Sequence, residues 1–258
     1  MSGTKAIIKK EIRTYFYSPV AYVLIGIFLA LMGIIFAKFV AIYQGITMQQ
    51  RFGGGPQGIT LDKLAAYLYQ NMAFMLCFIT PFLTMKLYAE ERNQSTLELL
   101  LTAPVRTGHL VVGKFLGAFS LMAGMILLSF VYAFFLILWG NPEVPIILST
   151  YLGLFLALGC YISMGGLISA LSSSQAIAAV WTFLALLLLW LSQSLAQGIT
   201  TTWMGIEIGP VLAYISPLSH FNTFVEGLIQ LKDVVYFVSF IGLMLFLTHR
   251  VVESNRWR

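Results

Sequence analysis

The residues of this chain whose types can do chemistry are few, and their spacing decides what remains open. The longest candidate is Gly108-His109-Leu110-Val111-Val112-Gly113-Lys114-Phe115, which has the glycine and lysine spacing of a phosphate-cradling loop. Such a loop needs Ser or Thr after the lysine to hold magnesium, and a strand before it; here the position is Phe115 and an apolar run follows. Nucleotide binding by this segment is therefore excluded, and Lys114 reads as an anchor at the inner membrane interface. Neither His-Glu-x-x-His nor Gly-x-Ser-x-Gly occurs, and His109, His220 and His249 stand singly at span ends or connections. Cys77 and Cys160 fall within long apolar runs and read as small core residues, not as a disulfide or metal ligands. No catalytic residue, metal site or bound cofactor is expected on this chain.

What remains is a charged, leucine-rich segment from Tyr88 to Val105, and the elements around it decide what it can do. Of 258 residues 59% are hydrophobic and only 10% charged, with a mean hydropathy of +0.87. A single water-soluble core cannot hide that much apolar surface, so lipid must solvate much of it. Apolar runs long enough to cross a hydrocarbon core of ~30 Å cover residues 20–41, 64–87, 110–138, 146–171, 176–195 and 234–251. The expected fold is all-α, a single transmembrane domain over 1–258 with six spanning helices. The first apolar run is too long for a cleavable signal and lacks a small-residue cleavage site, so it is expected to be retained.

An even number of spans puts both termini on one side. With the termini inside, eleven of the 15 Lys and Arg are cytoplasmic, leaving Lys38, Arg51, Lys63 and Lys232 outside. That is the positive-inside bias of a protein in the cell inner, or cytoplasmic, membrane. The net charge of +5 clusters beside apolar segments and forms no basic stripe interleaved with aromatics, so its partner is anionic lipid and not nucleic acid. Residues 4–18 place Ile8, Ile12, Tyr15 and Phe16 at helical spacing beside Lys5, Lys9 and Arg13. This fits an amphipathic helix in the cytoplasmic interface, with an ordinary basic flank as the plainer alternative. Pro19 bends the chain after it.

Three connections stand out. Tyr43 to Lys63 contains Gly53-Gly54-Gly55-Pro56 and reads as an exposed outer turn. The Ser172-Ser173-Ser174-Gln175 turn is so short that spans four and five must be antiparallel neighbours. Residues 196–233 are half apolar and divided by Pro210 and Pro217. Short re-entrant or interfacial helices in the outer leaflet are expected there, because bare irregular backbone is not tolerated against lipid.

The segment between spans two and three, 88–109, is the richest in local signals. Ser95 followed by Glu98 is a capping box, so a short helix starts at Thr96 and Pro104 limits it to about two turns. Leu97, Leu99, Leu100 and Leu101 leave that helix more apolar than a solvated loop tolerates. Either the leucines rest on lipid headgroups or they plug into a cytoplasmic partner, with Glu90 and Glu91 facing basic residues nearby.

The string Ala89-Glu90-Glu91-Arg92, then Ser95-Thr96-Leu97-Glu98-Leu99-Leu100-Leu101, then Pro104, resembles the hallmark of type-2 ATP-binding-cassette (ABC) permeases. Within that class it is most similar to permeases of the gliding-motility and nitrous-oxide-reductase-maturation type. Ser216-Pro217-Leu218-Ser219-His220-Phe221, Gly227 and Asp233-Val234-Val235-Tyr236-Phe237 are similar to the segment leading into those proteins' last span. Where such permeases often have Gly before Thr-Leu-Glu, this chain has Ser95, a good cap that relaxes the sharp turn Gly permits. The resemblance implies that 96–101 is a coupling helix seated on a separate cytosolic ABC ATPase, present in two copies and holding the ATP and magnesium. It further implies that Ser172 to Gln175 makes a second, smaller contact, and that two permease chains, identical or homologous, enclose the path. The outer connection, with Pro217, His220, Phe221 and Gly227, would form an external gate, and an extracytoplasmic subunit is a further candidate partner.

Two alternatives stay open at the level of sequence. A membrane scaffold would use the same inner loop to recruit a cytosolic protein without moving a substrate. A secondary transporter would need ionisable groups within its spans, and the span centres offer only Asn71 and scattered Ser, Thr and Gln.

Overall fold

The computed structural model of the chain describes residues 3–51, 61–93, 107–140, 142–198, 202–203 and 206–254. The capping box, the leucines 97 and 99–101 and Pro104 lie outside the described residues, as does the Gly53-Gly54-Gly55-Pro56 run.

The helices, in chain order, are α1 (Gly3–Tyr17), α2 (Pro19–Arg51), α3 (Leu61–Thr84), α4 (Ala89–Asn93), α5 (Thr107–Leu128), α6 (Phe130–Gly140), α7 (Val144–Leu171) and α8 (Gln175–Gly198). Two two-residue strands, β1 (Thr202–Trp203) and β2 (Ile206–Glu207), pair antiparallel before α9 (Ile208–Ile215), α10 (Pro217–Val225) and α11 (Leu231–Ser254). Among the described residues the fold is therefore helical apart from that small hairpin, which departs from the all-α expectation. Among the described residues six helical stretches are long and apolar enough to cross a membrane: Pro19–Gln50, Ala65–Asn93, Thr107–Leu138, Val144–Leu171, Gln175–Ala196 and Leu231–Ser254.

The differences from the expected boundaries have local causes. α2 runs to Arg51, ten residues past Ala41, because Gln44, Met48, Gln49, Gln50 and Arg51 are good helix formers and no proline interrupts them. The third span is bent at Ser129, whose hydroxyl takes the Ile126 carbonyl at 2.6 Å and so competes with the helical ladder. Pro81 sits inside α3, where it removes one backbone donor; Thr80 and Thr84 bond back to Leu76 and Thr80 on either side.

α7 is the hub of the bundle, packed by α3, α5, α8, α10 and α11. Small residues let its neighbours in: a Cβ on Gly159 would lie 2.6 Å from Ile241 of α11, and one on Gly153 would lie 2.8 Å from Phe224 of α10. Cys77 and Cys160 are buried and free in this core. α2 and α11 instead expose large apolar side chains such as Val23, Ile27 and Leu31, and Val238, Leu243 and Phe246. Those faces suit lipid tails.

Candidate functional site

The described roots of the 94–106 segment are α4 on one side and the first turns of α5 on the other, and a buried ion cluster joins them. Lys114, in the second turn of α5, is only 2% exposed. Its ammonium donates to the Leu87 carbonyl at 2.6 Å and faces Glu91 Oε1 at 2.9 Å and Glu11 Oε1 at 3.2 Å. Three donors thus meet three acceptors, which is what a buried ammonium requires. Its Nζ also lies 5.3 Å from the centre of the Tyr88 ring. Lys10, more than half exposed, reaches the same Glu91 oxygen at 3.4 Å. Two cations and two carboxylates therefore close one cluster across α1, α4 and α5.

Lys114 is thus not the interfacial anchor that its position at a span end suggested. Glycines explain how α1 comes near enough: Cβ atoms on Gly113 and Gly117 would lie 2.7 Å from Ile7 and 2.5 Å from Glu11, so α1 sits directly on the α5 backbone. The packed face of α1 is Ile7, Glu11 and Tyr15, while Phe16 is 47% exposed. Burial, with Glu11, Glu90 and Glu91 close by, holds the Tyr15 phenol well above its usual range, so it stays neutral. His109 adds a side-chain hydrogen bond to Thr4 at 2.8 Å.

The second inner turn approaches the same place. Ser169, one turn before Ser172, accepts from the Tyr88 and Ala89 backbone N–H groups at 3.1 and 3.2 Å. Those are start-of-helix donors that α4 cannot satisfy itself. Ser172 is buried and bonds back to Ile168, Ser173 is exposed, and Ser174 accepts from the Ile177 N–H at the start of α8, whose first residue is Gln175. Of the residues singled out in sequence, Glu91 enters the ion cluster and Glu90 sits beside it, while Arg92 points outward and exposed. Glu11, Lys114 and Ser169 are the contributors that sequence reading missed or misassigned. A glutamate on the apolar-spaced face of an otherwise basic helix was the available signal for Glu11.

At the other end of the bundle the expected outer-gate residues form a second buried assembly. Pro217 opens α10 and is buried, and Phe221 is 1% exposed against Gly153. His220 Nε2 lies 3.0 Å from the Tyr214 carbonyl, which can only accept, so that nitrogen carries a proton. Nδ1 lies 2.6 Å from Asp233 Oδ1; Asp233 is 1% exposed, and its Oδ2 has no partner among the described residues. Tyr236 stacks on the imidazole at 3.9 Å. Gly227 has φ +82, and a Cβ there would lie 2.9 Å from Ile146, so the turn into α11 needs glycine. Ser149 donates to the Phe224 carbonyl at 2.7 Å and Gln70 to Asn222 at 3.0 Å, fixing α10 against α7 and α3.

No group of three or more His, Cys, Asp or Glu with metal-binding spacing occurs among the described residues. A sequence model of the family described as ABC-2 family transporter protein matches residues 5–251. No curated protein matches the sequence.

Proposed function

The chain belongs to the ABC-2 family of transporter proteins, and from that premise we propose that it is a permease subunit that receives motion from a cytosolic ATPase through residues 94–106. Family membership makes it a multi-pass membrane component that works with an ABC ATPase, and not the ATPase itself. In our reading the ATPase is a separate polypeptide in two copies, carrying ATP and magnesium. A second permease chain, identical or homologous, completes the pathway. Both termini then face the cytoplasm, and the membrane is the inner, or cytoplasmic, one.

The observation that carries this reading is the Lys114 cluster at the base of the coupling segment. A displacement of 94–106 arrives at α4 on one side and α5 on the other. If those roots moved independently, the loop would flex and the spans would stay still. Lys114 ties α5 to Glu91 and to the Leu87 carbonyl, and Glu11 adds α1 to the same body. Each donor of the buried Lys114 ammonium has an acceptor, and a buried group held in this way is stiff, which suits a base that must pass on motion. Ser169 extends the base to α7, the hub of the bundle. The buried assembly of His220 and Asp233 closes the opposite end, where we place the external gate.

The test is Leu99→Arg or Glu98→Arg in the intact complex, reading ATPase copurification and coupled transport. Loss of either, with normal membrane insertion, is the expected result. Unchanged copurification together with unchanged activity refutes the coupling assignment. Continued function with a catalytically dead ATPase refutes transport and leaves a scaffold.

A further inference from the structure

A crevice of about 500 Å³ opens beside the ion cluster, between the α1–α2 corner and the α3–α4 corner. Its upper wall is apolar: Val20 and Leu24 from the start of the first span face Phe82 from the end of the second. Its charged lining carries both signs: Lys10, Glu11, Glu91 and Lys114 are held in the ion cluster, and Lys86 and Glu90 stand beside it. Val20 and Phe82 are 42% and 53% exposed, so the apolar wall opens sideways where the spans begin. It continues into the exposed stripe of Val23, Ile27 and Leu31 on α2. Lys86 and Glu90 make no ion pair among the described residues, although both line the same space.

Apolar wall above and mixed charge below is the complement of an amphiphile whose headgroup carries an anion and a cation. We propose that this crevice binds a zwitterionic glycerophospholipid with a primary ammonium, of the phosphoethanolamine class. The phosphate lies against Lys86 and Lys10, the ammonium donates to the Glu90 carboxylate, and the acyl chains follow Val20, Leu24 and Phe82. An acidic headgroup gives Glu90 no partner and meets its repulsion. A trimethylated ammonium keeps the charge but has no N–H to donate, so it binds less well. The site needs only this chain, so it stands or falls independently of the coupling assignment.

The experiment uses the full-length chain purified in detergent and incubated with an equimolar mixture of phosphatidylethanolamine, phosphatidylcholine and phosphatidylglycerol. Retained lipid is quantified after gel filtration. Phosphatidylethanolamine should be enriched over both others, and Glu90→Gln should reduce its retention about tenfold, as loss of one charge-assisted hydrogen bond implies. Lys86→Gln should lower retention of phosphatidylethanolamine, while Lys9→Gln, outside the crevice, should leave it unchanged. Equal retention of the choline and ethanolamine lipids, preference for phosphatidylglycerol, absence of retained lipid, or indifference to Glu90→Gln each overturns the proposal. If Glu90→Gln fails to fold, the wild-type ethanolamine-to-choline ratio decides alone.

Discussion

Replacing Lys114 with Met tests whether the inner cluster is a structural joint. The side chain is 2% exposed, and its three acceptors lie at 2.6, 2.9 and 3.2 Å. Met matches the length of the stem and removes only the charge and the donors. Breaking a buried ion pair from one side costs about 3–5 kcal/mol, because the surviving carboxylates remain out of water without a counter-charge. The side chains of Glu11 and Glu91 are 9% and 15% exposed, so water offers them little relief. Glu91 keeps Lys10 at 3.4 Å, which places the expected loss near the lower bound, about 3 kcal/mol. For a chain of this size that corresponds to a fall of about 6–12 °C in the unfolding midpoint.

The assay is thermal unfolding in one detergent at fixed pH. The companion variant Lys114→Met/Glu11→Met removes the more deeply buried of the two stranded carboxylates, leaves Glu91 its contact with Lys10, and should regain at least half of the lost stability. A single variant within about 1 kcal/mol of wild type would show a solvated lysine, with the median worth of a surface pair. A double variant no better than the single would show that packing, and not charge, explains the loss. Either result removes the cluster as the basis for a stiff joint.

Two further outcomes follow from the packing. Gly117→Ala should destabilise by about 1–3 kcal/mol, because its new Cβ meets Glu11 and α1 must move off α5, whereas Gly124→Ala, with nothing within 4 Å, should be neutral or mildly stabilising in the same unfolding assay. A double-mutant cycle on His220→Ala and Asp233→Ala should give a coupling of about 1 kcal/mol, as expected for a buried side-chain hydrogen bond, and additive single effects would show the 2.6 Å contact to be incidental.

The spans were legible because their signal is length and composition, which no tertiary contact alters. The break after Ser18 was legible because Pro19 acts on its own neighbour. What could not be read were the partners of charged residues far apart in sequence. Glu11, Glu91 and Lys114 lie on three helices, and each alone resembles an ordinary interfacial charge. Only the close approach of α1 to Gly113 and Gly117 turns Lys114 from an anchor into a buried hub. Those glycines were visible as a small-residue pair in the sequence, but the pattern does not say which helix fills it. The bend at Ser129 was hidden for a similar reason, since a single serine in an apolar run is compatible with a straight helix. His220 was legible as part of a motif, whereas its pairing with Asp233 across the Gly227 turn needed the backbone path.

The positions of the buried charges constrain how this chain can be driven. Glu11, Lys114 and Glu91 lie where the first, second and third spans begin or end at one side, and Asp233 and His220 lie where the last span begins at the other. Each set fastens a short non-spanning helix, α1 or α10, to a span. In a membrane, where charges in mid-span are costly and are kept for ion pathways, this placement makes the two sets fasteners at the ends of the bundle. Under the coupling proposal a force applied at 94–106 meets this base, and α7 runs from the base, through Ser169, to the outer assembly, through Ser149 and Gly153. One continuous helix thus touches both fasteners. The permease reading therefore requires α7 to carry displacement between its ends, with the ATPase as the source of the work.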